Sequence, residues 1–495
     1  MWKSIGAKLR LQFNLYRLNW KTTLLTAVIF AVHAWFYRDV IIDDSFIIFR
    51  YSKNFAEGLG LVFNSGDRVE GFSSVLWTLW MSVPFLLDLD PLIFSKVSGL
   101  ILAVGTLQLA SVYIHPLAAL ALSAFGPFVF WSLAGMETPL FYFVVSWAML
   151  AAYRFGESEP DADKNGILKI ACLFGVLPWI RPDGVLFTAL IFVPMVWLSR
   201  KSISRKQFFL SALALAIPYL ALMVCRYLYF GDFQPNTYYA KVSMPWFEGF
   251  WKQTEKQGWG YVYAFWAKYA LLGLVLIAPI YKVIRSKNLK LGAFVLMLFL
   301  YQLYFIFVGG DWMTHYRWYA ALGIPFLLLM FETPWPEFFS KVRLKQPVIL
   351  AIVAVSFLYQ SLYVFVYGGY LRFNERNDAL LMSFGRQLEH VFNTSELKKQ
   401  TLLLGDIGMV GYYSQLRILD GAGLVDKHMA KLPAIHFWKT DNAYLLSKKP
   451  EWVYLRLHYF YYPPAADVQA AFRKAIAAQP DVNLLTGELL TRMKF

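Results

Sequence analysis

Apolar runs long enough to cross a bilayer alternate with short polar stretches over most of the first 367 residues. A helix needs about 20 mostly apolar residues to span the hydrocarbon core. Runs at about 22–38, 73–87, 95–113, 117–133, 184–199, 208–230, 261–281, 291–308, 318–333 and 347–367 therefore predict a polytopic α-helical membrane protein. The run at 73–87 is short and carries Pro84, which marks it as an interfacial or half-inserted helix. With two further crossings between Glu137 and Arg181, on either side of an interior loop at 154–167, the pattern predicts about eleven spans and an exterior C-terminus. From about residue 370 the period changes. Short β-like runs (Thr401–Leu404, Arg417–Leu419, Trp452–Leu455) alternate with helical patterns and glycine turns, as in a small α/β domain with a parallel sheet. The expected division is 1–369, a transmembrane domain whose first exterior loop is 39–72, and 370–495, the α/β domain.

Composition agrees with membrane residence. The 495-residue chain is 58% hydrophobic and only 16% charged, against about 25% charged in soluble domains. The net charge of +15 resides in loops between apolar runs, which fits a positive-inside pattern and a lipid bilayer partner and excludes a nucleic-acid surface. Lys3, Lys8, Arg10, Arg17 and Lys21 precede the first span and place the N-terminus in the cytoplasm; no small-residue cleavage site follows that span. Basic clusters at 200–206, 282–290 and 341–345 mark further interior loops. Cys172 and Cys225 lie inside apolar runs and read as inert buried thiols.

The unusual polar residues all fall on the opposite, exterior side. Asp43 and Asp44 stand just past the first span. Deep in the bilayer each carboxylate would cost about 2.5–3.5 kcal/mol, so the pair belongs at the water interface, where it suits proton abstraction or cation binding. The plainer alternative is that Asp44 caps a helix starting at Ser45. In that helix Arg50, Asn54 and Glu57 share one face and Ile48, Tyr51 and Phe55 another, as in an amphipathic helix lying on a bilayer. Glu70, Glu137, Arg181 with Asp183, Asn236 with Lys241, and Asp311, His315 and Arg317 fill the other exterior loops beside Trp312, Tyr316 and Trp318. Read singly, Arg181 with Asp183 and Asp232 with Lys241 are local ion pairs, and the aromatics are interface anchors. Read together, they form one polar chamber. Acids can accept a hydroxyl proton, Arg50, Arg181, Lys241, His315 and Arg317 can neutralise a phosphate, and aromatic faces suit sugar rings. Sugar transfer from a lipid phosphate needs all of these.

The stretch Asp43-Asp44-Ser45-Phe46-Ile47-Ile48-Phe49-Arg50-Tyr51-Ser52-Lys53-Asn54, with 58–64 and Val69-Glu70-Gly71-Phe72-Ser73-Ser74, resembles the first exterior loop of the terminal arabinofuranosyltransferases, membrane glycosyltransferases of the GT-C fold. Gly135-Met136-Glu137-Thr138, Arg181-Pro182-Asp183-Gly184, Gly405-Asp406-Ile407-Gly408 and 419–426 look like further blocks of that family. The resemblance implies a polyprenyl-phosphate pentofuranose donor, arabinofuranose above all. It implies a catalytic aspartate at Asp43 or Asp44, with Asp43 favoured and Asp44 as support or as a ligand of a divalent cation. Arg50, Asn54, Glu70, Glu137, Arg181, Asp183, Asn236, Lys241, Asp311, His315 and Arg317 are then donor or acceptor contacts. The acceptor is a cell-envelope glycan, a lipopolysaccharide or an exported pilin-like protein, reached on the periplasmic side of the bacterial inner membrane. The competing readings are a GT-C enzyme using another lipid-linked sugar, mannose or aminoarabinose, and a lipid-linked-sugar transporter. Transporters place their polar residues near the midplane, unlike the one-sided clustering here.

Overall fold

The computed structural model describes residues 20–155, 166–241, 258–311, 313–333, 345–366, 368–392, 399–433, 439, 441–455 and 483–486. Lys3, Lys8, Arg10, Arg17, Trp312, Lys341 and Arg343 lie outside them, as does most of the expected interior loop 154–167. The chain divides into two compact units: Met1–Val40, Leu92–Leu222 and Gln253–Arg372 form one, and Ile41–Pro91, Met223–Lys252 and Phe373–Phe495 the other. The acidic loop thus belongs to the same unit as the C-terminal residues.

The first unit is helical. Among the described residues, Pro91–Tyr113, Arg205–Phe230 and Leu289–Phe307 are long and apolar enough to cross a membrane; the last turns of Arg205–Phe230 belong to the second unit. Trp259–Lys268 and Ala270–Ser286 form a further candidate, bent by 91° at its break. Their outward faces carry Ile101, Leu274 and Ile277 exposed, as lipid-facing positions are. Cys172 and Cys225 are on such outward faces: both thiols are exposed, not buried as their apolar neighbours suggested.

Other apolar runs fold as shorter pieces. The run 117–133 breaks into Pro116–Ser123 and Gly126–Ser132, because Pro127 bars a helix through its own preceding residues. The run 318–333 begins as a tight turn of 3₁₀ helix, Thr314–Leu322, before Gly323–Glu332. The run 73–87 gives two short helices, Val75–Trp80 and Val83–Leu86, separated where Pro84 sets a new first turn.

The second unit holds a four-stranded parallel sheet. Its strands are β1 (Thr401–Leu404), β2 (Arg417–Asp420), β3 (Trp452–Leu455) and β4 (Asn483–Thr486), in the order β2-β1-β3-β4. Leu403, Leu419 and Val453 from three neighbouring strands pack with Met429 and Leu445 into its core. Strands of such a sheet are apolar throughout because both faces are covered. The strand order reverses at β1, so the carboxyl end of β1 is the switch point where open α/β sheets present their ligand-facing loops. Gly405-Asp406-Ile407 leads from that end into the seven-residue helix Gly408–Ser414.

Candidate active site

The acid pair heads a helix, Asp43–Ala56, and both acids lie in its first turn, where negative charge complements the exposed N–H groups. Ile42, not Asp44, is the capping position, and it makes no side-chain cap bond. The helix does not lie on a surface. Phe46, Ile47, Ile48, Phe49, Arg50, Tyr51, Ser52 and Asn54 are all buried, so residues from both expected faces are inside; Phe55 and Glu57 remain outside. An amphipathic pattern read against water or lipid mistook polar residues that bond to backbone for residues that face solvent.

Those bonds are specific. Asp43 accepts two backbone N–H bonds from the start of the helix Gly408–Ser414: Gly408 N to Oδ2 at 3.0 Å and Met409 N to Oδ1 at 2.7 Å. Seven residues later, Arg50 donates to the carbonyls of Gly411 (2.7 Å), Leu416 (2.7 Å) and Phe63 (2.8 Å). Asn54 donates to the carbonyls of Val62 and Phe63. Asn64 joins the same layer by bonding both N–H and C=O of Ile418 in β2.

Glu70 forms a buried two-pronged ion pair with Arg226, Nε to Oε2 at 2.6 Å and Nη2 to Oε1 at 3.0 Å. Burial pushes the Glu70 carboxyl above its ordinary range, and Arg226 opposes that shift. Arg226 escaped the sequence reading, yet it carried a signal: a cation inside the run 208–230 is expensive enough to demand a partner. Asn236 takes the Glu70 carbonyl through its own N–H and sends its side-chain amide to the carbonyls of Gly423 and Leu424. That loop is organised from within by Asp420, which accepts from the N–H groups of Ala422 (2.8 Å) and Val425 (2.9 Å). Burial pushes the Asp420 carboxyl up to about 7, against those two bonds. Lys241 ends the helix Asn236–Lys241 on the outside. Asp232 pairs with Lys427 and Lys431.

The first unit gathers a second group. Arg181 Nη1 bonds Glu137 Oε1 at 2.8 Å, Arg181 Nε bonds Asp183 Oδ1 at 2.9 Å, and Tyr301 donates to Asp183 Oδ2 at 2.6 Å. One guanidinium therefore serves two buried carboxylates. Arg317 is likewise matched, by Asp311 at 2.9 Å. His315 and Tyr316 have positive φ (58° and 49°), a strained backbone for side chains other than glycine. The His315 ring stacks flat on Phe130 with centroids 4.0 Å apart and lies edge-on to Tyr37 and Tyr363. Neither of its ring nitrogens has a partner among the described residues. Lys268, which the sequence did not single out, stands over Tyr363 at 4.0 Å and Tyr316 at 5.2 Å, at the bend between two helices.

No group of three or more His, Cys, Asp or Glu suited to a metal ion occurs among the described residues. Asp43 accepts a backbone N–H bond on each of its carboxylate oxygens.

Residues 381–485 match a family model described as a domain of unknown function (DUF8728). The chain is 26% identical over 335 residues to a terminal beta-(1->2)-arabinofuranosyltransferase of Corynebacterium glutamicum, covering 58% of this chain and 47% of that protein. It is 28% identical over 282 residues to the protein of the same name from Mycobacterium tuberculosis, covering 53% and 43%. The chain thus spans somewhat under half the length of the curated relatives it matches. In fold it resembles ArnT from Cupriavidus metallidurans, solved bound to undecaprenyl phosphate, with a TM-score of 0.54 over 82% of this chain and 87% of that one at 12% identity. By sequence the chain is similar to the terminal arabinofuranosyltransferases, and by fold to a GT-C glycosyltransferase.

Proposed function

We propose that this protein is a membrane glycosyltransferase that moves a pentofuranose, arabinofuranose, from a polyprenyl-phosphate donor onto a cell-envelope glycan or exported protein. In this reading it is an integral protein of the bacterial inner membrane with its N-terminus in the cytoplasm and its C-terminal α/β residues in the periplasm. The observation that carries the reading is the acid pair at the head of a buried helix, with Asp43 held by two backbone N–H groups, in a chain similar to proteins of that name. ArnT's fold, met with undecaprenyl phosphate, supports a lipid-phosphate donor.

The chemistry follows from the carboxylates. The acceptor hydroxyl gives its proton to Asp43 or Asp44 and its oxygen bonds the anomeric carbon. The bond from that carbon to the phosphate oxygen breaks, and its electron pair leaves with polyprenyl phosphate. Positive charge builds on the sugar ring in between, and a fixed carboxylate stabilises it. The fold likeness to ArnT favours a second reading, another sugar on the same kind of lipid phosphate. Incubation of the purified protein in lipid with synthetic polyprenyl-phosphate arabinofuranose, mannose or aminoarabinose and candidate acceptors, read by mass spectrometry, tests both. Transfer of arabinofuranose alone supports the proposal; transfer of another sugar alone replaces it with the second reading.

A further inference from the structure

We infer that the loop after β1 positions the acid pair: the N–H groups of Gly408 and Met409 fix the Asp43 carboxylate, and Gly408 must be glycine for that approach. The inference rests on the proposed reaction and adds to it two residues 365 and 366 positions away in sequence.

The geometry is that of two helices docked at both ends. Asp43 meets the N-terminal amides of Gly408–Ser414, and Arg50 meets carbonyls at its far end, those of Gly411 and Leu416. Asp43 and Arg50 are seven positions apart, a rise of about 10.5 Å, comparable to the length of the seven-residue helix. A negative group at the amide end and a positive group at the carbonyl end match the polarity of the short helix. The register of the two helices is therefore set at two points, and the acid pair stands at one of them.

Space at that point is minimal. A Cβ on Gly408 would meet the Asp43 backbone carbonyl oxygen first, and would stand 2.6 Å from Asp43 Oδ2 and 2.7 Å from the Asp43 carbonyl carbon. Ordinary contact begins near 3.4 Å, so alanine must push the Asp43 backbone and its carboxylate away together, the carboxylate by ~0.8 Å or more, and a misplacement of about 1 Å can cost roughly 10²-fold in rate. The second docking point is crowded as well: a Cβ on Gly411 meets Phe63 and Arg50 side-chain atoms at 2.9 and 3.0 Å.

The test uses the full chain in lipid nanodiscs with synthetic polyprenyl-phospho-arabinofuranose as donor. Gly408→Ala lowers kcat about 10²-fold while the donor KM stays within about twofold. A wild-type kcat in Gly408→Ala overturns the inference. A second readout does not depend on catalysis. Amide exchange at Gly408 and Met409 becomes at least tenfold faster in Asp43→Ala than in wild type, and unchanged exchange overturns the inference whatever the activity. Faster exchange in a protein that transfers no arabinofuranose removes the proposed reaction and leaves the docking intact.

Discussion

Arg181 decides whether the polar group of the first unit is a phosphate clamp or a structural network. Its guanidinium bonds Glu137 at 2.8 Å and Asp183 at 2.9 Å, and the side chains of both acids are only 3% exposed. In Arg181→Met these two carboxylates stay buried with their cation gone. Breaking a buried pair from one side costs about 3–5 kcal/mol, much of it the uncompensated charge left behind. The loss is measured by thermal unfolding of the protein in nanodiscs. The double variant Arg181→Met with Asp183→Asn recovers part of the loss, since one orphaned charge is removed, and a double-mutant cycle gives the coupling. Arg181→Lys keeps the charge but not the fork and falls between. A native unfolding temperature in Arg181→Met, with only a raised donor KM, would refute this reasoning and return the guanidinium to substrate binding.

Tyr301→Phe removes one bond to Asp183 and destabilises the protein by about 1 kcal/mol, visible in the same melts. Arg226→Met strands Glu70 and costs about 3–5 kcal/mol; because burial already raises the Glu70 carboxyl, the defect is smaller at pH 5 than at pH 7.5, where the stranded group must carry charge. Asp420 has its folded value raised to about 7 from 3.8, so the folded state holds the proton more tightly. Its contribution to stability is complete below about pH 4 and is lost as pH rises toward 7, by up to about 1.4 kcal/mol per unit. Melts of wild type and Asp420→Asn across pH 4–8 show the slope flattened in the variant.

The sequence reading reached the helical membrane class, the parallel α/β character after residue 370 and three of the four strands, because each rests on a local period. It missed β4, whose Asn483-Leu484-Leu485-Thr486 is short and has no alternation, although Pro480-Asp481 and Gly487 flank it in the sequence. Arg181 with Asp183, two positions apart, was legible as a local pair; Arg317 with Asp311, six apart, was not read as one. Partners far along the chain were not legible. Glu70 meets Arg226 across 156 residues, and Asp232 takes Lys427 and Lys431 where neighbouring Lys241 was the local choice. Backbone partners were the least legible of all. Arg50 and Asn54 have the residue types of a substrate clamp, yet they bond carbonyls, and every residue carries a carbonyl. The amides that hold Asp43 are invisible for the same reason.

Sugar transfer by three proteins in lipid, wild type, Asp43→Asn and Asp44→Asn, bears most directly on the proposed chemistry. Each change is isosteric, and intact folding is checked by melting. Wild type converts polyprenyl-phospho-arabinofuranose to glycosylated acceptor and polyprenyl phosphate, and the Asp43 variant loses that turnover while still folding. Undiminished turnover in both variants would leave the carboxylates without a role in the reaction.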